Sequence, residues 1–226
     1  MDGNGRWAKQ KGQERLFGHN AGVESVRACC EFAVEKGIRF LSLYAFSEEN
    51  WNRPKDEVDG LMALMVKSVL AEMETFRQNN IRFRVVGNRE RLSADLLEKI
   101  DAAQEETASN TGVTLVVMLS YSGKWDILQA ARHYGSEVAA AVREGREIPQ
   151  LDEASFSSLL ATSGIPDPDL MIRTSGEQRI SNYMLWQCAY TEFYFTSTLW
   201  PDFRKTDFDE ALKAFAERDR RYGKIK

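Results

Sequence analysis

Close to the first residue of the chain, an acidic residue, two glycines and an arginine follow one another in Asp2-Gly3-Asn4-Gly5-Arg6-Trp7. The glycines on either side of Asn4 let the backbone approach an anion closely and turn N–H groups towards it. Arg6 offers a planar fork of donors suited to phosphate oxygens, and Asp2 can hold a Mg²⁺ that bridges to them. Taken alone, the DGNG tetrapeptide favours an ordinary tight turn. The segment therefore needs support from other motifs.

Some of that support comes a few residues later. Arg15, Gly18 and His19 precede a helix that the apolar pattern starts near Ala21. The N-terminus of a helix favours an anion. His19 alone would be an ordinary surface or capping histidine.

A second group of reactive side chains follows the apolar run that ends at Phe46. Eight residues supply two carboxylates, a carboxamide, an indole and a guanidinium, in the order Ser47-Glu48-Glu49-Asn50-Trp51-Asn52-Arg53-Pro54. The segment could equally be a capped loop before a helix at Asp56, with Trp51 packed on the core. A functional interpretation is favoured only because the loop follows a predicted strand.

A third group also follows a predicted strand: Arg173-Thr174-Ser175-Gly176-Glu177-Gln178-Arg179-Ile180-Ser181-Asn182. Arg173 and Arg179 flank a Ser/Gly turn and, with Ser181 as a further donor, form a candidate diphosphate clamp. Glu192 lies on the next apolar run, where a buried carboxylate requires a cation or hydrogen-bond donors. A metal ion and a salt bridge to an internal arginine both satisfy that requirement.

These groups are positioned by alternating strand and helix patterns. Apolar, β-branched runs predict strands over 38–46, 81–87, 113–119, 169–173 and 192–196. Helical spacing predicts helices over 21–36, 57–78, 93–109, 124–144 and 207–221. Ser93 is a plausible N-terminal cap and Gly37 a plausible helix stop. We therefore expect an α/β fold with a mainly parallel central sheet flanked by helices and a ligand site beyond the C-terminal strand ends.

Composition limits the remaining choices. The chain has 226 residues, of which 43% are hydrophobic, and a formal net charge of −4. No linker composition divides it, so residues 1–226 are predicted to form a single domain, with 145–168 as a connecting excursion. The negative charge argues against general nucleic-acid binding, so any anion site must be a local cluster. Two arginine-bearing groups on one sheet suggest two phosphorylated substrates.

Cysteine usage and hydropathy bear on the compartment. The three cysteines are odd in number, and Cys29 and Cys30 are adjacent while Cys188 is remote, which suits neither a disulfide framework nor a zinc site. No apolar run reaches transmembrane length. We expect a cytoplasmic protein that can rest transiently against a membrane surface, on the inner face.

Together the three groups resemble the signature of the cis-prenyltransferases of the undecaprenyl diphosphate synthase type. The shared segments are 1–8 (MDGNGRWA), 43–51 (LYAFSEENW), 172–177 (IRTSGE) and 199–203 (LWPDF), in the family's order and at its spacing. The resemblance covers essentially residues 1–222. It implies a Mg²⁺-dependent transferase that adds isopentenyl diphosphate units to an allylic diphosphate, farnesyl diphosphate, with cis stereochemistry. The implied product is a long polyprenyl diphosphate, undecaprenyl diphosphate, which carries glycans for cell-wall synthesis.

The resemblance also assigns roles to individual residues. Asp2 would be the catalytic aspartate and a metal ligand, Asn50 would stand where proton removal is usually proposed, and Glu192 would be a second metal ligand from or near the partner side of a homodimer. The residues implied to hold the allylic substrate are Gly3, Asn4, Gly5, Arg6, Trp7, Arg15, His19 and Arg53. Those implied to hold isopentenyl diphosphate are Arg173, Arg179, Ile180 and Ser181. Those implied to line the reaction centre are Ser47, Glu48, Glu49, Asn50 and Trp51.

A growing prenyl chain needs an apolar tunnel. On helix 57–78, one stripe at helical spacing comprises Val58, Leu61, Met62, Met65, Val69, Met73 and Phe76. The stripe fits a tunnel wall and an ordinary core helix equally well, and the resemblance favours the tunnel. The run Phe193-Tyr194-Phe195 with Trp200-Pro201 is too apolar to stay exposed, which predicts a homodimer.

Three features depart from the family pattern. The short apolar strand that normally ends at the DGNG aspartate is absent before Met1, so we expect an upstream strand of about five residues. The family's NYGGR segment here comprises the five residues Ser120-Tyr121-Ser122-Gly123-Lys124. Gln178 replaces a residue that is often His or Lys.

Three other classes of protein fit the sequence less well. Trans-prenyltransferases need paired DDxxD motifs, which this chain lacks. A silent partner subunit of a heteromeric prenyltransferase should have lost the chemistry of Asp2 or Arg6, which is present. A generic nucleotide-binding α/β domain should carry a Walker or GxGxxG motif, and neither occurs.

Overall fold

A computed structural model of the chain describes residues 1–219. Helices and strands alternate along it. The helices are α1 (Asn4–Gln10), α2 (Arg15–Glu35), α3 (Lys55–Gln78), α4 (Ala94–Glu106), α5 (Gly123–Glu144), α6 (Glu153–Leu159) and α7 (Lys205–Ala216). The strands are β1 (Phe40–Ser47), β2 (Arg82–Val86), β3 (Thr114–Tyr121), β4 (Leu170–Arg173) and β5 (Glu192–Phe195).

The larger sheet has three parallel strands in the order β1-β3-β2. All eight residues of the central strand β3 are buried, which explains its nearly continuous apolar sequence. Alternate residues face opposite sides of the sheet: Leu115 and Val117 belong to one apolar cluster, and Val116 and Met118 to another. Cys30 of α2 packs in the first cluster. The sheet is thus covered on both faces, as the sequence predicted.

The smaller sheet pairs β4 with β5, also in parallel, with Leu170 opposite Glu192 and Arg173 opposite Phe195. Strands β1 and β4 are not hydrogen-bonded to each other, and residues of both line one cavity. The expected mainly parallel α/β architecture is therefore confirmed, but its sheet is in two parts. The upstream strand that the sequence suggests for this gap stays a prediction.

Two helix starts differ from the sequence-based prediction. Helix α1 begins at Asn4, immediately after Gly3, whose φ of 104° turns the chain into the helix. Helix α2 begins at Arg15 rather than near Ala21, so His19 lies inside the helix and not before it. The sequence did not predict these two helix starts, because short stretches with few apolar residues show little apolar periodicity.

The other element ends agree with the prediction to within three residues, except at the last helix. The predicted helix 207–221 is α7, which ends at Ala216; residues 220 and 221 of that prediction lie outside the described residues. The Ser93 cap is confirmed, since its hydroxyl accepts a hydrogen bond from Leu96 N–H at 3.3 Å. Gly37 has a φ of 65°, as a helix stop requires.

One surface prediction was wrong. Trp200 and Pro201 were expected at an exposed dimer surface, but both are buried. The Trp200 indole donates to the Gly22 carbonyl at 3.0 Å and stacks on Phe203 at 5.7 Å between ring centroids. Residues 1–219 contain no helix that is both long and apolar enough to span a bilayer.

Candidate functional site

A cavity of about 850 Å³ lies between strands β1 and β4 and helices α2 and α3. Its walls are largely apolar, whereas charged and polar groups gather where β1 and β4 end. The polar residues that line it there are Asp2, Asn4, His19, Ser47, Asn50, Arg53, Arg173 and Ser181. A polar end on an apolar cavity suits a ligand with a charged head and a hydrocarbon tail.

Asp2 is fixed at this end by contacts from across the chain. Its carboxylate accepts hydrogen bonds from Gly3 N–H at 2.7 Å and from Arg173 Nη2 at 3.0 Å. Its backbone is held by the Thr174 hydroxyl at 2.8 Å and by Trp200 N–H at 2.9 Å. Burial raises the pKa of the Asp2 carboxyl, but the hydrogen bonds from Arg173 and Gly3 and the nearby positive charges hold it below its ordinary value. Asp2 is therefore an ionised carboxylate at neutral pH.

The residues after Asp2 fit tightly against α2. A Cβ atom at Gly18 would lie 2.0 Å from the Asn4 carbonyl oxygen, so α1 and α2 can cross only at a glycine. The Asn4 side chain is buried beside the cavity, and its Oδ1 has no hydrogen-bond partner. A buried amide oxygen without a donor is costly, so this atom is available to a ligand or to water.

Arg6 joins the N-terminal segment to the loop after β4. Its guanidinium donates to the Ser175 carbonyl oxygen at 3.0 Å and also to the Ser175 hydroxyl. It lies 3.3 Å from Glu177 and 3.7 Å from Asp2. Glu177 in turn binds Arg179 at 2.6 Å. The sequence placed Arg6 and Arg179 in separate anion sites, whereas here one carboxylate holds both.

Arg173 organises the loop of the proposed clamp. Its Nη1 atom donates to the Ser181 hydroxyl at 2.8 Å and to the Arg179 carbonyl oxygen, closing a turn in which Ser175 and Ser181 adopt positive φ. Ile180 lines the cavity from the same turn. Arg173 therefore links Asp2 to the turn that carries the other candidate anion ligands.

A second cationic group surrounds Glu57 on α3. Arg53 donates to the Glu57 carboxylate at 3.0 Å, and Arg15 lies 3.6 Å from the same oxygen. Burial lowers the pKa of His19 to about 4, and the positive charges of Arg53 and Arg15 act in the same direction. His19 is consequently neutral at pH 7 and can either donate or accept a hydrogen bond.

The segment after β1 divides its side chains between two directions. Ser47 and residues Glu48–Asn52 form a 3₁₀ turn with three residues per turn, so Ser47, Asn50 and Arg53 share one face and line the cavity. The Asn50 Oδ1 atom accepts from Ser47 N–H at 3.1 Å, which leaves the Asn50 amide N–H₂ group as a donor.

Four predicted site residues make their contacts away from the cavity lining. Glu48 and Trp51 share the opposite face of the turn and contact Ser120, and Glu49 accepts a hydrogen bond from Asn182 at 2.6 Å. Trp7 donates to Asp202 at 2.7 Å and stacks on Phe17. The periods of the 3₁₀ turn and of α1 turn these four side chains away from the cavity lining, and the roles that the resemblance gives them stay predictions. The residues that contact the lining rather than form it are Gly3, Gly5, Arg6, Arg15 and Arg179.

Glu192 is not brought to Asp2 within one chain. It begins β5 opposite Leu170, whereas Asp2 contacts Arg173 three residues further along β4, about 10 Å away at ~3.3 Å per residue. Its carboxylate pairs with Arg218 at 2.6 Å. Among residues 1–219, no group of three or more histidine, cysteine or acidic side chains is arranged to hold a metal ion. A Mg²⁺ at Asp2 would thus share its coordination with substrate oxygens.

Helix α3 forms both core and cavity wall. Five stripe residues line the cavity: Leu61, Met62, Met65, Val69 and Phe76. Val58 and Met73 belong to the apolar clusters without lining it. Val69 and Phe76 also belong to an apolar cluster, so the stripe forms part of the core and part of the cavity wall, and a tunnel for a growing chain stays a prediction.

Sequence reasoning missed several residues that organise the site. Thr174, Ser175 and Glu177 fix Asp2 and Arg6, and Glu57 fixes Arg15 and Arg53. Glu57 could have been found from its i,i+4 spacing to Arg53 on a predicted helix. The contacts of Thr174 and Ser175 span about 170 residues and leave no local signal.

Fold and site together define an α/β protein whose ionised aspartate and arginine clusters sit at the mouth of a largely apolar cavity, as expected of an enzyme acting on amphipathic phosphates. Comparisons with known proteins narrow this class. The family model described as putative undecaprenyl diphosphate synthase matches residues 1–223. The chain belongs to this family, and it is a transferase that elongates prenyl chains.

Individual relatives are similar over nearly the whole chain. An isoprenyl transferase of Chlorobaculum tepidum is 50% identical, over 99% of this chain and 83% of that protein. The farnesyl-diphosphate-specific ditrans,polycis-undecaprenyl-diphosphate synthase of Escherichia coli K12 is 48% identical, over 99% and 87%. The crystal structure of lavandulyl diphosphate synthase from Lavandula x intermedia, in complex with dimethylallyl diphosphate, matches with a TM-score of 0.92 and 37% identity, covering 99% of this chain and 95% of that one.

Proposed function

We propose that this chain condenses isopentenyl diphosphate with farnesyl diphosphate, with cis stereochemistry, and repeats the addition to give undecaprenyl diphosphate. The observation that carries the proposal is the position of Asp2: a carboxylate held ionised among arginines, where the polar end of an 850 Å³ cavity meets its apolar walls. The name of the Escherichia coli relative supports both the starter and the product.

The allylic diphosphate is proposed to lie against the N-terminal segment and the Glu57 group. Arg53 and His19 line the cavity beside Asn4, whose unpartnered amide oxygen can accept a hydrogen bond from a bridging water but not from an ionised diphosphate. The Lavandula relative, solved with dimethylallyl diphosphate, supports an allylic site in this fold. The residues assigned to this substrate are Gly3, Asn4, Gly5, Arg6, Arg15, His19 and Arg53.

Isopentenyl diphosphate is proposed to bind at the turn after β4, through Arg173, Arg179 and Ser181. The hydrogen bond of Arg173 to Asp2 supports a position for this turn beside the proposed allylic site. Arg6 contacts Asp2 and Glu177, so it can bind a diphosphate from either substrate. Two adjacent diphosphates in one pocket would bring the reacting carbons together.

Magnesium fits the donor set. Asp2 supplies a hard, ionised oxygen ligand, and the neighbouring arginines supply places for the diphosphate oxygens that would complete the coordination. When bound, Mg²⁺ supplies positive charge that stabilises the departing diphosphate. Glu192 is proposed as a ligand only from a second subunit, since it lies at the other end of β5 within its own chain.

The reaction follows from these contacts. Arg6 and Arg173 neutralise charge that builds on the diphosphate as the allylic C–O bond breaks. The isopentenyl double bond attacks the allylic carbon, and a proton then leaves to form the new double bond. The Asn50 amide is too weak a base to take this proton, so it is proposed to hold the substrate through its N–H₂ group, while a diphosphate oxygen takes the proton. The apolar wall of α3 receives the lengthening chain.

A homodimer is part of the proposal. Tyr190, two residues before Glu192, is 73% exposed, and Phe195, at the opposite end of β5, is 38% exposed. A second copy on this face would cover the aromatic side chains and could bring its Glu192 towards the site.

We also propose a cytoplasmic enzyme that touches the membrane surface to release product. The three cysteines are free and buried, which suits a reducing compartment. Leu16 and Phe17 are exposed at the start of α2 and could contact lipid.

The test is an incubation of the protein with farnesyl diphosphate, isopentenyl diphosphate and Mg²⁺, followed by chromatography of the lipid products. We expect polyprenyl diphosphates culminating in undecaprenyl diphosphate, and none without Mg²⁺. Products of only two condensed units, or no product, would reject the proposed chain elongation.

A further inference from the structure

Ser120, the next-to-last residue of β3, departs from the family pattern, and the structure shows what this residue contacts. Ser120 is fully buried at the end of the central strand and adopts a φ of 53°, which is uncommon outside glycine. Its hydroxyl donates to Glu48 Oε1 at 2.5 Å and accepts from the Trp51 indole N–H at 2.8 Å. One hydroxyl therefore satisfies a carboxylate and an indole at once.

Arg91 completes this contact from the connection between β2 and α4. Its guanidinium lies 3.7 Å from Glu48 Oε2 and 4.6 Å from the centre of the Trp51 ring. Phe46 meets the same ring edge-on, with centroids 5.0 Å apart. The indole is thus held by its N–H group, which donates to Ser120, and by the contacts of its ring with Arg91 and Phe46.

The 3₁₀ turn connects these contacts with Ser120 to the residues that line the cavity. Glu48 and Trp51 are three residues apart and share the face that docks on Ser120. Ser47, Asn50 and Arg53 are also three apart, and they line the cavity. Rotation or lifting of the docked face would therefore move Asn50 and Arg53 relative to the substrates.

We propose that Ser120 and Arg91 are positioning residues for prenyl transfer: they act through Glu48 and Trp51 to fix the turn that presents Asn50 and Arg53. The inference rests on the proposed function, because it is the reaction there that requires this geometry. Without the Ser120 hydroxyl, the indole N–H and a carboxylate oxygen lose their shared partner in a buried place, and the turn must shift to find others.

The first experiment compares Ser120→Ala with Ser120→Gly. Both remove the hydroxyl, but glycine relaxes the positive-φ backbone whereas alanine keeps a Cβ there, so their thermal stabilities should differ. If Ser120 positions the turn, both variants lose about 10-fold in kcat despite their different melting temperatures. If activity instead follows the melting temperature, or if both variants keep wild-type kcat, the positioning role is wrong.

A second experiment tests the path through Trp51. In a Trp51→Phe background the indole N–H is already gone, so adding Ser120→Ala should cost less than about 3-fold, compared with 10-fold alone. If Ser120→Ala lowers kcat equally in wild type and in Trp51→Phe, Ser120 does not act through the indole. Arg91→Gln should also lower kcat, whereas the matched control Arg89→Gln, which removes only an exposed pair with Asp101, should not.

The proposed function and the positioning role of Ser120 and Arg91 can be rejected separately. Wild-type protein that makes no polyprenyl product rejects the proposed function. Wild-type protein with normal turnover, whose Ser120 and Arg91 variants also turn over normally, rejects only the positioning role. Hydrogen exchange of the Trp51 indole N–H in ¹⁵N-tryptophan-labelled protein gives a readout besides activity: the proposal requires faster exchange in Ser120→Ala.

Discussion

Acidification should destabilise this protein through His19. The ordinary pKa of histidine is 6.5, and in the folded protein burial, together with Arg53 and Arg15, lowers the pKa of His19 to about 4. Between these values the unfolded chain binds a proton that the folded protein does not, so protons favour unfolding. Stability contributed by neutral His19 is present above pH 6.5 and is lost as the pH falls towards 4.

The size of the effect follows from the two pKa values. At 1.36 kcal/mol per unit, lowering the pH from about 7.5 to about 5 should cost roughly 2 kcal/mol through His19. The full difference, reached below pH ~4, is roughly 3 kcal/mol. For a domain of this size, 2 kcal/mol corresponds to a fall of about 4–8 °C in melting temperature.

The assay is urea unfolding at both pH values for wild type and His19→Gln. Other groups also titrate, but they are common to both proteins, so the difference in pH dependence isolates His19. The variant should lose about 2 kcal/mol less than wild type on acidification. The matched control is His133→Gln on α5, where an exposed imidazole pairs with Glu137; it should behave as wild type. Identical pH dependence in wild type and His19→Gln would refute the reasoning.

Three further outcomes are expected. Asp2→Ala should lower kcat about 100- to 1000-fold while farnesyl diphosphate still binds, as measured by single-turnover kinetics and equilibrium binding; near-normal turnover would contradict its role. Arg179→Ala should raise the KM for isopentenyl diphosphate more than that for farnesyl diphosphate, and Arg15→Ala the reverse; equal effects would mean that the two sites are not separate. Sedimentation at micromolar concentration should show a dimer, and an active monomer would reject that prediction.

Local pattern in the sequence determined most of the elements. The continuous apolar run of β3, the Ser93 cap and the Gly37 stop each depend on residues that are neighbours along the chain, and each was predicted. The strand-end positions of two motifs also followed from sequence, because they come directly after predicted strands. The family resemblance added the chemistry that these motifs carry out.

Tertiary structure alone decided how the motifs meet. Asp2 binds Arg173, and Arg6 binds Ser175, across about 170 residues, and no periodicity encodes such a contact. Trp200 was expected at an interface because a large aromatic side chain is common there. It is buried within the chain instead, because Gly22 leaves room for its ring.

The direction in which each side chain points could not be predicted from the sequence either. Ser47, Asn50 and Arg53 face the cavity, while Glu48 and Trp51 face Ser120, only because the chain forms a 3₁₀ turn there. Sequence therefore specified which chemical groups gather at the strand ends. The helical period at each strand end, and the long-range hydrogen bonds that fix it, decided which of those groups line the cavity.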